Sequence, residues 1–306
     1  MKDVNICAAV NNDYVPYLAV MLESLIMFAD KDRTYKIHVL HTDIDESNQR
    51  LICQMMTKNF EVQFYDVNER MKGYSNLFVS NHIKIETYFR LLLPDMLRDV
   101  DKILYIDCDV IANTDVAKLY DVDVTNYFLA GTRDADIAAN YNKDISFKDY
   151  MDSVVGIDLD HPYDYIQAGI ILMNLRKFRE ECNTDSLLNI ALSREWMYHD
   201  QDTLNHVCVG NILFVDYAWD FVYDYNESFR RSKEVLIDAP NFILQDYLRA
   251  KAEPKMIHFS WTDKPWFSPG VHYGEKWWMI ARNTPYYSKL LLDTEKKLAE
   301  YIIGAK

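Results

Sequence analysis

Glycine is scarce in this chain of 306 residues, and its placement excludes two common nucleotide sites. None of the eight glycines (positions 73, 131, 156, 169, 210, 270, 274 and 304) completes a G-x-G-x-x-G fingerprint or a phosphate-binding P-loop, so a glycine-rich cradle cannot hold any phosphate here. Basic residues are also in deficit. With 33 Lys and Arg against 47 Asp and Glu the net charge is −14, which lacks the positive footprint of a non-specific nucleic-acid binder and argues for no nucleic-acid partner. The five cysteines (7, 53, 108, 182 and 208) are odd in number, scattered, and form no CxxC pair, as expected of reduced thiols rather than a disulfide framework. No apolar run approaches the ~18 residues of a membrane span. The start, MKDVNICAAV, enters a strand directly without a signal-peptide pattern. These absences predict a cytoplasmic protein, with peripheral attachment to the inner face of a membrane as the alternative.

What is present is a large apolar fraction, 49% with 14% aromatic, enough for a sizeable core. The stretches 4–10, 35–42, 61–67, 102–112 and 166–175 read as strands, with 4–10 buried and 166–175 in the core. Helical spacing over 14–26, 47–58, 84–97 (at first) and 177–192 alternates with them. Alternation of this kind predicts an α/β fold with a mostly parallel central sheet and helices on both faces. The polar, Asp/Tyr-rich stretch 133–165 reads as an irregular excursion. The boundaries expected are a main α/β domain over 1–265 and an aromatic, basic helical extension over 266–306. From Lys264 onward the chain carries a net +3, against −17 for residues 1–263.

ILYIDCDV at 103–110 is the stretch that carries chemistry. An apolar strand runs into Asp107 and Asp109, and side chains at i and i+2 of an extended chain point the same way. Ligands in parallel α/β sheets bind beyond the carboxyl ends of the strands, where this pair falls. Two carboxylates aimed at one point repel, and a hard divalent cation removes that cost. The same letters loosely fit the DxDx[TV] opening of haloacid-dehalogenase phosphatases, in which Asp107 would be the phosphorylated nucleophile. That motif, however, normally follows the first strand of its domain, and here three strand–helix units precede it.

Five further segments bear on the choice: AAVNNDYVPYL (8–18), HIKIETYFRLLL (82–93), IQAGIILMN (166–174), YHDQDTLN (198–205) and IHFSWTDKPW (257–266). In this order they resemble glycosyltransferase family 8, from about residue 4 to 266. The family comprises retaining, UDP-sugar-dependent enzymes of GT-A fold, including bacterial lipopolysaccharide galactosyl- and glucosyltransferases and glycogenin. The resemblance implies Mn²⁺, with Mg²⁺ as a substitute, on Asp107, Asp109 and His258. It implies a uridine pocket at Ala9, Asn11 and Asp13 with Tyr14 near the base, and the backbone of Cys108 against the ribose. Arg90 would contact the donor, and Gln167, Ala168, Asp200 and Gln201 would surround the transferred sugar, with Asp200 and Gln201 the catalytic candidates. Lys264 would bind the diphosphate.

Two positions depart from the family pattern: Gln167 stands where Asn is common, and Trp261 where Gly is common. The partners implied are a UDP-sugar donor and a glycan or glycolipid acceptor. The alternatives are the phosphatase and a sugar-nucleotide-binding protein without catalysis. For the tail, 266–291, an interfacial membrane anchor stands beside a helix packed through Trp277, Trp278 and Tyr286.

Overall fold

The computed structural model describes residues 3–80, 84–157, 160–223, 235–260, 264–268 and 270–304. Parallel strands β1 (Asp3–Ala9), β2 (Thr34–His41) and β3 (Phe60–Asp66) build one half of the main sheet. Strand β4 (Lys102–Ile106) joins β1 in parallel, with Ile6 opposite Leu104. The next stretch, β5 (Val110–Ala112), leaves that sheet altogether. Strands β6 (Leu129–Gly131), β7 (Ile170–Asn174) and β8 (Ile212–Phe214) complete a seven-stranded order of β3-β2-β1-β4-β7-β6-β8. In it β7 runs antiparallel to both β4 and β6. A small second sheet is formed by β9 (Phe221–Val222) and β10 (Met256–His258), in the order β5-β10-β9.

The alternation of side chains along β1 divides the core. Val4, Ile6 and Ala8 face one cluster with the helix Val15–Phe28, while Cys7 faces a second with Tyr88, Leu91 and Leu92. Both faces of the main sheet are therefore covered, which suits the near-continuous apolar strands.

Five local expectations are corrected. Residues 102–112 form two strands in different sheets, because the chain turns at Asp107–Asp109. The stretch 133–165 is substantially helical: Ala135–Lys143 and Ile145–Tyr150, followed by the π turn Met151–Val155. Asp134 and Asp144 cap the first two by accepting backbone N–H bonds. The helix expected over 177–192 is two, Leu175–Glu181 and Thr184–Leu192, the second capped by Asn183. Residues Ile85–Leu92 wind as a 3₁₀ helix, and Glu46–Met55 ends before Met56.

Beyond the KPW segment, helices Gly274–Ala281 and Tyr287–Gly304 lie against the helix Val15–Phe28 side of the core. Trp266, Trp277 and Tyr286 are buried there and Trp278 is half-buried, so the tail packs as the second of its two expected arrangements describes.

Candidate active site

The turn at Asp107–Asp109 is where the two sheets meet. The Asp107 N–H donates to the Gly169 carbonyl (2.8 Å), just before β7, and the Phe259 N–H donates to the Asp109 carbonyl (2.9 Å), just after β10. One carboxylate is thus fixed from the main sheet and the other from the small one. Antiparallel pairing sets His258 opposite Val110, bringing its imidazole beside the aspartates although it lies far along the chain. Ligand atoms of Asp107, Asp109 and His258 all lie within 4.8 Å of one another.

Charge is organised tightly around this trio. Lys264 Nζ donates to Asp109 Oδ2 and to the Phe259 carbonyl, each at 2.5 Å. Asp109 Oδ1 lies 3.3 Å from His258 Nε2 but accepts no hydrogen bond among the described residues. Burial raises the Asp109 carboxyl, yet Lys264 and His258 outweigh it and hold the group below the usual carboxylate range. Asp107 is pushed up to about 6, by burial and by Asp109, against the pull of Arg90. Burial opposes charge on His258, but Asp220 and Asp109 overcome it and raise the imidazole well above its ordinary value.

Asp220 was invisible in the sequence. It sits fully buried just before β9, which runs parallel to β10, and its Oδ1 accepts from His258 Nδ1 at 2.9 Å. That bond keeps a proton on Nδ1, so that once the ring is neutral it is the Nε2 lone pair that faces the aspartates. Gly169 was missed for the opposite reason, since its function is to be small. A β carbon there would lie 2.2 Å from His258 Cε1.

Arg90 is buried and brackets two carboxylates, 2.9 Å from Asp107 Oδ1 through Nη2 and 2.9 Å from Asp200 Oδ2 through Nε. Its Nη1 donates to the Ala168 carbonyl, and Nε–H to the Thr87 carbonyl. Asp200, at the start of the helix His199–Cys208, also accepts from the Thr87 hydroxyl. Gln201 Oε1 accepts from the Ala168 N–H (2.9 Å), and its Nε2 donates to Asp134 (3.2 Å). Gln167 Oε1 turns back onto the Gly169 N–H. Ala168, Asp200, Gln201 and Arg90 are therefore one connected network, with Gln167 next to it in sequence. Asp202 stands apart, accepting from the Tyr150 and Tyr165 hydroxyls at 2.6 Å each.

The first loop follows β1. Asn11 accepts from the Tyr14 N–H (3.1 Å), capping the turn Asn12–Tyr14, and Asp13 is exposed. Burial, Asp109 and Cys108 push the Tyr14 hydroxyl up to about 12. The Cys108 thiol turns away from the carboxylates to the Ala9 carbonyl (3.9 Å). Trp261, with His82 and Ile83, lies outside the described residues.

A divalent cation fits what these residues offer. Two carboxylates and an imidazole converge, a buried carboxylate oxygen has no hydrogen-bond partner, and the imidazole is oriented from behind. Along this chain of contacts Asp107, Asp109, Asp200 and Asp220 face Arg90 and Lys264, leaving two negative charges when His258 is neutral.

Comparison with known proteins bears on family and fold. A sequence model described as glycosyl transferase family 8 matches residues 5–270. A putative glycosyltransferase of Haemophilus influenzae is 28% identical over 78% of this chain and 69% of its own length. The lipopolysaccharide 1,2-glucosyltransferase of Escherichia coli is 25% identical over 65% of this chain and 54% of its own. The solved structure of the galactosyltransferase LgtC, in complex with donor and acceptor sugar analogues, has a TM-score of 0.74 at 24% identity. It covers 93% of this chain and 96% of the other, a likeness in fold.

Proposed function

This chain belongs to glycosyltransferase family 8, and from that premise we propose that it moves a glucosyl or galactosyl group from a UDP-sugar to a hydroxyl of a glycan or glycolipid, with retention at the anomeric carbon. The observation that carries the reading is the convergence of Asp107, Asp109 and His258 beside Lys264, at the carboxyl ends of β1 and β4. A divalent cation, Mn²⁺ or Mg²⁺, held by the three ligands would supply charge neutralisation for the diphosphate.

The protein's own groups have distinct tasks. Lys264 offers a positive charge for the departing phosphate oxygens. Asn11, Asp13 and Tyr14 take the uridine, beside the ribose position at Cys108. Arg90 fixes Asp107 and Asp200 together, so the side that meets the diphosphate and the side that meets the sugar move as one. Asp200 is ion-paired with Arg90 and accepts from Thr87 through Oδ1, and both interactions lower its strength as a nucleophile. This favours attack by the acceptor hydroxyl on the face the phosphate leaves. The C1–O bond to phosphate breaks, a C1–O bond to the acceptor forms, and the acceptor proton passes to the departing phosphate oxygen. The phosphatase alternative loses ground because Asp107, its nucleophile, is tied to Arg90 at 2.9 Å.

Calorimetry with UDP tests the donor directly. Binding should weaken at least tenfold when EDTA replaces Mn²⁺, because an acidic site has few other means to attract a diphosphate. Equal affinity with and without the ion would contradict the reading, and tighter binding of ADP or GDP would overturn the uridine assignment. A screen of UDP-sugars for Mn²⁺-dependent hydrolysis then identifies the sugar, and no turnover of any would leave a binding protein.

A further inference from the structure

The two C-terminal helices and the turn between them contribute no residue to the site described above, yet they hold it at two points. We propose that Gly274–Ala281, Tyr287–Gly304 and the intervening Tyr286 form a positioning brace for the donor, fixing the segment that carries Lys264 and the loop that carries Asn11, Asp13 and Tyr14. The inference rests on the donor reading, which assigns those two segments to the diphosphate and the uridine.

At the first point, the Trp278 Nε1–H donates to the Pro265 carbonyl at 3.1 Å. The Thr294 hydroxyl lies 3.0 Å from the Trp266 carbonyl and 2.9 Å from that of Leu290, its one proton shared between them. Both carbonyls held outside the helix belong to the two residues after Lys264. The ring of Trp266 is gripped as well, stacked on Tyr17 (4.2 Å, 25°) and tilted against Trp277 (5.1 Å). Tyr17 in turn meets Tyr14 edge-on at 5.0 Å.

At the second point, the Tyr286 hydroxyl donates to Asn48 Oδ1 (2.9 Å), and Asn48 Nδ2 donates to Asn12 Oδ1 (2.8 Å). Asn12 lies between Asn11 and Asp13 in the turn, and its own N–H donates to Asp43 at 2.8 Å. A lysine reaches its target on a long flexible stem, so where the ammonium can stand depends on how firmly its backbone is anchored. The tail supplies that anchor for Lys264 and, through Tyr286, a second one for the uridine loop.

Three near-isosteric substitutions separate a brace from mere packing: Thr294→Val, Trp278→Phe and Tyr286→Phe, each removing a donor and leaving most of the side-chain volume. Calorimetry with Mn²⁺ present should show UDP binding weakened about two- to tenfold in each, the scale of one hydrogen bond, at unchanged stoichiometry. Uridine, which has no phosphate, should lose affinity in Tyr286→Phe but keep it in Thr294→Val and Trp278→Phe. Thr294→Ser should restore UDP binding. Wild-type UDP affinity in all three, with only melting temperature or active fraction reduced, overturns the brace while leaving the donor reading intact. Failure of the unaltered chain to bind UDP overturns both.

Discussion

Gly169→Ala should cut metal-dependent turnover about a hundredfold or more, although the position touches no substrate. The new methyl would lie 2.2 Å from His258 Cε1, 2.8 Å from its Nδ1 and 3.0 Å from Gln167 Oε1. The ring cannot simply retreat, because Asp220 holds Nδ1. Nor can the glycine backbone move freely, since its carbonyl accepts from the Asp107 N–H. Any relief of the clash therefore displaces one of the presumed ligands, and a shift of about 1 Å in such a group costs on the order of 10²-fold. Overpacking costs roughly 1–3 kcal/mol, within the ~5–15 kcal/mol of an ordinary domain, so the variant should still fold. Mn²⁺ titration followed by electron paramagnetic resonance, with a melting curve alongside, checks both halves. An alanine variant that binds Mn²⁺ and turns over like the parent would refute the placement of His258.

Asp109→Ala and His258→Ala should each lower UDP-sugar turnover about a thousandfold, with added Mn²⁺ failing to restore it. Loss of a ligand removes several kcal/mol of leaving-group neutralisation, at about 1.4 kcal/mol per tenfold. Asp220→Asn makes the informative contrast. An asparagine keeps the shape but weakens the grip on Nδ1, and outer partners of this kind are worth about 10- to 100-fold in metal affinity. Its activity should return at saturating Mn²⁺, which distinguishes a residue that aims a ligand from the ligand itself. Full activity of Asp109→Ala or His258→Ala, or of the parent in EDTA, would sink the metal assignment.

The strands of the parallel half were legible because each leaves a signal within its own segment, a mostly apolar run in β1 and apolar–polar alternation in β2 and β3. The break at Asp107–Asp109 was not. Residues 103–112 read as a single apolar run around two acids, and what divides them is pairing with β10, more than a hundred residues on. Within 133–165 the polar, Asp/Tyr-rich composition read as irregular, although some of those aspartates are helix caps. Asp134 and Asp144 are such caps. The grouping of His258 with the DCD turn came from the family resemblance, since no local pattern links them. Asp220 and Gly169 lay beyond reach because one acts through a ring brought in by a neighbouring strand and the other through space it leaves empty.

Because Asp107 is pinned to the main sheet and Asp109 and His258 to the small one, an ion bound between them acts as a tie across the seam. Binding energy that depends on the joint arrangement must also stabilise that arrangement, by RT ln(1 + [L]/Kd), about 2.7 kcal/mol at a hundredfold excess over Kd. The gain should be local. Hydrogen exchange of amides in β5, β9 and β10 should slow on adding Mn²⁺, while those of β2 and β3, remote from the seam, should change little. Uniform slowing throughout, or none at the seam, would show that the two sheets are docked independently of the ion. If the seam alone responds, docking of the small sheet and affinity for the donor form one equilibrium, and substitutions that loosen the seam far from any ligand will surface as weaker binding of the sugar nucleotide.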